Sequence, residues 1–375
     1  QRGLRNNKLP WKPVLVVPKI QTQHQTAERS FSLLAKQRSR RHILNVATTG
    51  IPSEDAKRKL PFPVVLWRFT RPHTLIGSAL AIPAIHVLAA PTFDAAFSVS
   101  TLISMLYAMV PSLLMNLYIT GLNQITDVEI DKINKPNLPI ASGDLSERNA
   151  TIVVLLALLA SLWMGVAHSA LSSQGLNVAL WGSAILGTMY SLEPFRLKRF
   201  PALAAFCIVA VRGTIINAGF FAHAQAAAYG NTGATVLNCL LTNTKCRLSS
   251  LFFGVFGIVI ALMKDVPDVT GDKISNIRTF SVRIGQRRVF NTMRRLLTML
   301  FLTVSAGFFK GAFAAQSMLL GACRLVVGLS SVAAAFSVRD EAVTVNPESS
   351  SEVYGYYMHL WKLFYLCYLV LPFAR

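Results

Sequence analysis

Residues 123–131 read NQITDVEID and residues 265–272 read DVPDVTGD, and each stretch follows an apolar run long enough to cross a bilayer. An apolar run of about 20 residues spans the hydrocarbon core as a helix. Carboxylates at the end of such a run are costly unless they have a task. Working outward from these two places, the hydropathy gives nine spans, near 73–91, 97–122, 150–168, 175–192, 201–222, 248–264, 295–311, 317–337 and 356–374. The expected fold class is therefore all-α, a multispanning membrane helical bundle.

The composition agrees. The 375 residues are 53% hydrophobic and only 14% charged, where soluble domains carry about 25% charged residues. The formal charge of +20 raises nucleic acid as a partner. Half of that excess lies in residues 1–60, with 13 Lys or Arg against 3 Asp or Glu, and the rest lies largely in loops. No RNP, zinc-finger or helix-turn-helix pattern accompanies it, so nucleic acid is a poor fit as a partner and none is expected. Cys207, Cys239, Cys246, Cys323 and Cys367 form no CxxC, and three fall inside apolar spans, which indicates neither a disulfide scaffold nor a zinc site. Cys239 and Cys246 share a loop without a clear signal for pairing.

Two domains are expected: a basic, serine-containing and acid-poor segment at 1–60, with the composition of an organelle transit segment, and a membrane domain at 61–375. A basic tail lying on anionic lipid would share that composition. With nine spans, the loops after the second, fourth, sixth and eighth share the side of the N-terminus. They carry Lys132, Lys135 and Arg148, then Arg196, Lys198 and Arg199, then Lys273, Arg278, Arg283, Arg287 and Arg288, and finally Arg339. By the positive-inside rule this is the cytosolic, matrix or stromal side, and both acidic stretches face it.

The stretches are also copies of one another. DVEIDKINKPNLPIASG at 127–143 aligns with DVTGDKISNIRTFSVRIG at 268–285, each reading Asp, three residues, Asp-Lys-Ile, then basic residues and a glycine. Two pseudo-repeats, each with an aspartate-rich motif, place a site at their interface. On a continuing helix Asn123, Asp127 and Asp131 share a face, as do Asp265, Asp268 and Asp272. Asn116 and Thr120 extend the first stripe, while Pro267 and Gly271 bend or end the second helix. Carboxylates in this number suit Mg2+, which binds through one or two carboxylates, water and substrate phosphates. Two half-sites would grip a diphosphate and neutralise the charge that develops as it leaves. Lys135, Lys273 and Arg278 stand nearby as further clamps. Two other readings compete: loop-anchoring acids paired with neighbouring lysines, and an ion or small-molecule transporter, whose acids sit nearer the midplane.

NQITDVEIDKINKPNLPIASGDLS and KDVPDVTGDKISNIRTFSVRIGQ resemble the two aspartate-rich signatures of the UbiA-type intramembrane prenyltransferases. WRFTRPHTLIGS at 67–78, YSLEPFRLKRFP at 190–201 and WKLFYLCYLVLPF at 361–373 are similar to the plastid homogentisate prenyltransferases. The resemblance covers 64–375. It implies a nine-helix bundle around a central cavity, Mg2+ held by both signatures, and prenyl transfer from a diphosphate to homogentisate with loss of CO2. It implies no obligate protein partner beyond the lipid bilayer, and a plastid membrane with the site facing the stroma. Asn123, Asp127 and Asp131 match the first signature, and Asp265, Asp268 and Asp272 the second. Arg71 matches the arginine of the family's RPH stretch, and Tyr190 and Lys198 match the Tyr and Lys of the connection after helix four; all three are expected to bind substrate.

Phytyl is the expected chain, in tocopherol synthesis, with solanesyl, of plastoquinone synthesis, next. An allylic cation left by the diphosphate needs no protein nucleophile, and no GxSxG or HExxH is present. Arg212, inside an apolar span, is read as facing the cavity toward diphosphate or the acceptor carboxylate, against a structural bond to nearby carbonyls or snorkelling. His73 is read as an interfacial hydrogen-bonder. Phe220, Phe221, Tyr356, Tyr357, Trp361, Phe364 and Tyr365 are tunnel candidates, most of them expected at lipid-facing or interface positions.

Overall fold

The computed structural model describes residues 60–274 and 277–375; the basic stretch 1–59 lies outside them. Helices are the regular secondary structure of the described residues, with no strand among them. Seven helices are long and apolar enough to cross a membrane. In chain order they are α1 (Pro72–Ala89), α2 (Val99–Thr126), α3 (Glu147–Val166), α5 (Pro201–Ala228), α6 (Thr244–Lys264), α7 (Gln286–Phe313) and α8 (Met318–Glu341). At the places of the two other expected spans lie the helices α4 (Gln174–Ser191) and α9 (Ser350–Val370), which are not apolar enough to count among the seven. Both are less apolar, because they carry polar side chains such as Ser183, Thr188 and Tyr190, or His359 and Lys362.

Hydropathy placed the seventh span at 295–311, but α7 begins at Gln286. Its first turns contain Arg287, Arg288, Arg294 and Arg295, good helix formers that extend the rod beyond its apolar window. At the other end of α2, the helix breaks at Asp127 (φ −120°, ψ 17°) and resumes as Val128–Asn134. The stripe of Asn123, Asp127 and Asp131 therefore does not lie on one unbroken helix.

The core is aromatic where α6 meets α9. Phe253 stacks on Tyr368 with ring centroids 4.0 Å apart, and Phe256 meets Phe364 edge-on at 5.2 Å. Outward-facing Phe97, Trp163, Phe313 and Met318 are exposed, as a surface solvated by lipid requires. Close helix approach depends on small residues. A Cβ on Gly213 of α5 would sit 2.6 Å from the Cα of Gly254 of α6, so only glycine lets the two backbones meet there.

All the expected even-numbered connections converge on one end of the bundle. The helices Val128–Asn134 and Val269–Ile274 pack together, and the Gly271 amide donates to Asn134 Oδ1 at 3.0 Å. Ser350 donates to the Pro267 carbonyl at 3.0 Å, and Arg68 pairs with Asp144 at 3.0 Å. That end holds both acidic segments.

Candidate functional site

The two DxxxD segments are built alike. In each, the amide of the second aspartate donates to the carbonyl of the first, Asp131 to Asp127 at 2.8 Å and Asp272 to Asp268 at 3.0 Å. Asp131, Asp268 and Asp272 are buried, a costly state for a carboxylate without partners. Cations supply part of the compensation. Asp127 Oδ1 accepts from Lys198 Nζ at 2.6 Å and Arg196 at 3.3 Å, while its Oδ2 accepts from Asn123 at 3.0 Å. Arg71 lies 3.7 Å from Asp131, and Lys135 of the first segment reaches across to Asp268 of the second. Asp265 has Lys264 at 3.9 Å. Asp272 accepts from the Thr279 hydroxyl at 3.4 Å.

Among the described non-glycine residues only Arg71 (φ 52°) and Arg196 (φ 34°) adopt a left-handed backbone. Both are cations paired with the first DxxxD. Such conformations cost free energy and persist where the surroundings enforce them.

Compensation is incomplete. Asp131 Oδ2 is buried with no hydrogen bond. Burial raises the Asp131 carboxyl above its ordinary range despite Arg71 and Lys135. Burial, then the neighbouring Asp265 and Asp268, push Asp272 up to about 7, and burial pushes Asp265 up to about 6 against Lys264. Burial also draws Lys198 down to about 8, against the opposing pull of Asp127. Among the described residues no three His, Cys, Asp or Glu side chains gather into a cage for a metal. Two half-sites of one or two carboxylates fit Mg2+, because substrate phosphate and water complete its shell. The under-neutralised hard oxygens, and the orphaned Asp131 Oδ2 in particular, fit such an ion.

A cavity of about 200 Å3 opens between α1, α2, α4, α5, α6 and α9. Arg71, Asn123, Tyr190 and Arg212 line it, together with Asn116 and Thr120 of the α2 stripe. Lys135 and Lys198 reach the acids from outside its wall. Arg278 is exposed and does not line it. His73, expected at the interface, lines the cavity edge-on to Trp361 at 5.2 Å.

The aromatic expectation is corrected. Phe220, Tyr357 and Trp361 line the cavity, and Phe221, Tyr356 and Phe364 are buried. Tyr365 is half-buried, donating to the His73 carbonyl at 2.7 Å. None is exposed: Phe220 and Phe221 are buried on α5, and α9 packs its aromatic face inward against α1 and α6.

Sequence reasoning missed Lys264 and Arg196 as site residues. Lys264 lines the cavity and donates to the Tyr190 hydroxyl at 3.3 Å. Its signal was its place between an apolar run and DVPD. Arg196 was read only as loop charge, two residues before Lys198.

Fold and site together define a multispanning helical membrane protein with a cavity whose own lining includes none of the site aspartates but includes Arg71, Asn123 and Lys264, which contact Asp131, Asp127 and Asp265. Residues 68–371 match the model of the UbiA prenyltransferase family, and the chain belongs to that family; it is a prenyltransferase. It is 39% identical over 319 residues to homogentisate phytyltransferase 1, chloroplastic, of Arabidopsis thaliana, covering 82% of this chain and 75% of that protein. To homogentisate geranylgeranyltransferase of Triticum aestivum it is 36% identical over 326 residues, covering 86% and 74%. A solved UbiA homolog from Archaeoglobus fulgidus, bound to GPP and Mg2+, superposes with a TM-score of 0.54 at 14% identity, over 82% of this chain and 99% of that one. That likeness shows the fold alone.

Proposed function

We propose that this enzyme transfers a phytyl group from its diphosphate to homogentisate, with Mg2+ bound at the two acidic segments, in a plastid membrane with the site toward the stroma. The observation that carries the reading is the pairing of two DxxxD segments, bridged by Lys135 to Asp268, beside a cavity whose lining residues Arg71, Asn123 and Lys264 contact their carboxylates. Homogentisate as acceptor and phytyl as donor rest on relatives named for those activities.

Asp127 and Asp131 of one segment, and Asp265, Asp268 and Asp272 of the other, would hold the metal. When bound, Mg2+ would neutralise charge on the departing diphosphate. Arg71, Lys135, Lys198, Arg196 and Lys264, now turned toward carboxylates or the Tyr190 hydroxyl, are placed to receive phosphate oxygens. Asn123 fixes the Asp127 carboxylate, and Tyr190 orients the Lys264 ammonium. The prenyl C1–O bond breaks with its electron pair leaving on diphosphate. A ring carbon of the acceptor then donates a pair to C1 and its proton departs; the acceptor carboxyl leaves as CO2, replaced by a proton. The Tyr357 ring in the cavity wall suits a passing carbocation, and the apolar walls exclude the water that would quench it.

Membranes containing the enzyme, labelled homogentisate, Mg2+ and equal phytyl, geranylgeranyl and solanesyl diphosphates test the reading. The phytylated product is expected to dominate. A predominantly solanesylated product would move the enzyme to plastoquinone synthesis, and ion flux in proteoliposomes without product would favour transport.

A further inference from the structure

Arg212 is the twelfth residue of α5, in the middle of a membrane span. A guanidinium at that depth is expensive unless an anion or a dense set of acceptors compensates it. Among the described residues it forms no ion pair and donates no side-chain hydrogen bond; the ion pairs of this protein cluster at the acidic end. Its guanidinium carbon lies 4.8 Å over the ring of Trp361 and 6.0 Å from that of Phe364. Cation–π contact lowers the cost of the charge but leaves its in-plane N–H donors free. The cavity is where those donors can find an acceptor, since Arg212 is one of its lining residues.

The backbone is shaped to put the side chain there. Residues Ala210–Ile215 form a π-helical turn, a wide turn frequent at functional sites. Its loosened carbonyls are taken up by the Asn217 amide, which donates to the carbonyls of Arg212 and Gly213. The Gly213–Gly254 contact seats this turn against α6. Sequence, local structure and packing thus converge on displaying one unpaired cation in the chamber.

The depth of Arg212 along α5 points to an anion other than the diphosphate. Pro201 begins α5 close behind the Lys198 connection, and Arg212 is eleven residues further in, about 16 Å along the axis at 1.5 Å per residue. Helical side chains lean toward the helix N-terminus, which leaves the guanidinium on the order of 10 Å below the acidic mouth. A ring whose reacting carbon meets prenyl C1 below the diphosphate would carry a side-chain carboxylate to that depth. Trp361 links the two regions, with Arg212 over its face and His73 at its edge.

We propose that Arg212 is the specificity determinant for the acceptor, holding the carboxylate of an arylacetate while its ring lies against Trp361 and Tyr357. The inference rests on the homogentisate reading above. It distinguishes an aromatic acid from a neutral hydroquinone by the one charge buried opposite the clamp.

The test uses the full chain in membranes, with homogentisate and with methylhydroquinone, which keeps the ring but replaces the carboxymethyl group by methyl, as a competitor. Wild-type enzyme is expected to prefer the acid at least about tenfold, and Arg212→Gln to raise KM for homogentisate by about 10- to 100-fold, the worth of a hydrogen bond between charged groups. KM for the prenyl diphosphate should stay within about twofold and the Ki of methylhydroquinone should not rise. Arg212→Lys, which keeps the charge if the glutamine variant fails to fold, should recover part of the preference. Equal weakening toward prenyl diphosphate would assign Arg212 to the diphosphate instead, and a wild-type enzyme indifferent to the carboxylate would also overturn the inference. Failure of the wild type to use homogentisate at all would overturn the parent reading.

Discussion

The two acidic segments share spacing and backbone hydrogen bonding but differ in how their charge is balanced. Three cations from two connections converge on the first: Lys198 and Arg196 hold Asp127, and Arg71 approaches Asp131. The second is poorer in cations. Asp268 borrows Lys135 from the first segment, Asp265 has only its sequence neighbour Lys264 at 3.9 Å, and Asp272 meets a hydroxyl. The two segments therefore share a backbone geometry while the neutralisation of their charge differs. Asp127 of the first half is held in place by fixed cations, whereas Asp131 and the carboxyls of the second half are raised toward protonation by burial.

The largest effect comes from removing either half. Asp127→Ala or Asp268→Ala should abolish product formation while the protein still inserts, since each variant removes a carboxylate from one half-site. Full activity in both would remove these acids from the mechanism. A milder change attacks the bridge. Lys135→Met removes the cation that joins the halves, and KM for prenyl diphosphate should rise by about 10- to 100-fold, in keeping with the 1.5–3 kcal/mol of a charge-assisted hydrogen bond. If KM for the acceptor rises in its place, Lys135 serves a different subsite.

Much of this architecture was legible in the sequence because hydropathy reports membrane spans directly. The paired DxxxD motifs were visible because their spacing survives in both copies. Arg212 declared itself as charge within an apolar run. What was not legible depends on which helices become neighbours. Lys264 and Arg196 look like ordinary terminal and loop charges until folding brings them to Tyr190 and Asp127. The aromatic residues of α9 have a composition that suits either lipid or core, and only the packing of Phe253 on Tyr368 decides between them. The break at Asp127 was hidden because i, i+4 spacing fits a continuous helix as well as an interrupted one.

The smallest effect probes the charge imbalance of the second segment through stability. A carboxyl titrates near 4 in an unfolded chain, whereas Asp265 and Asp272 are raised to about 6 and about 7 in the fold. Between those values the folded chain binds more protons than the unfolded one, so their contribution to stability is present at low pH and lost as pH rises from about 4 to 7. Detergent-solubilised protein in chelator should therefore melt a few degrees lower at pH 7.5 than at pH 5.5 with respect to this segment, and Asp272→Asn should flatten the difference because it holds its hydrogens at every pH. Added Mg2+ should raise the melting temperature more at pH 7.5 than at pH 5.5, since protons compete for the same oxygens. A Mg2+ shift that is independent of pH, or unchanged in Asp272→Asn, would place the ion on the cation-braced first segment alone and make the second an auxiliary surface rather than a half-site.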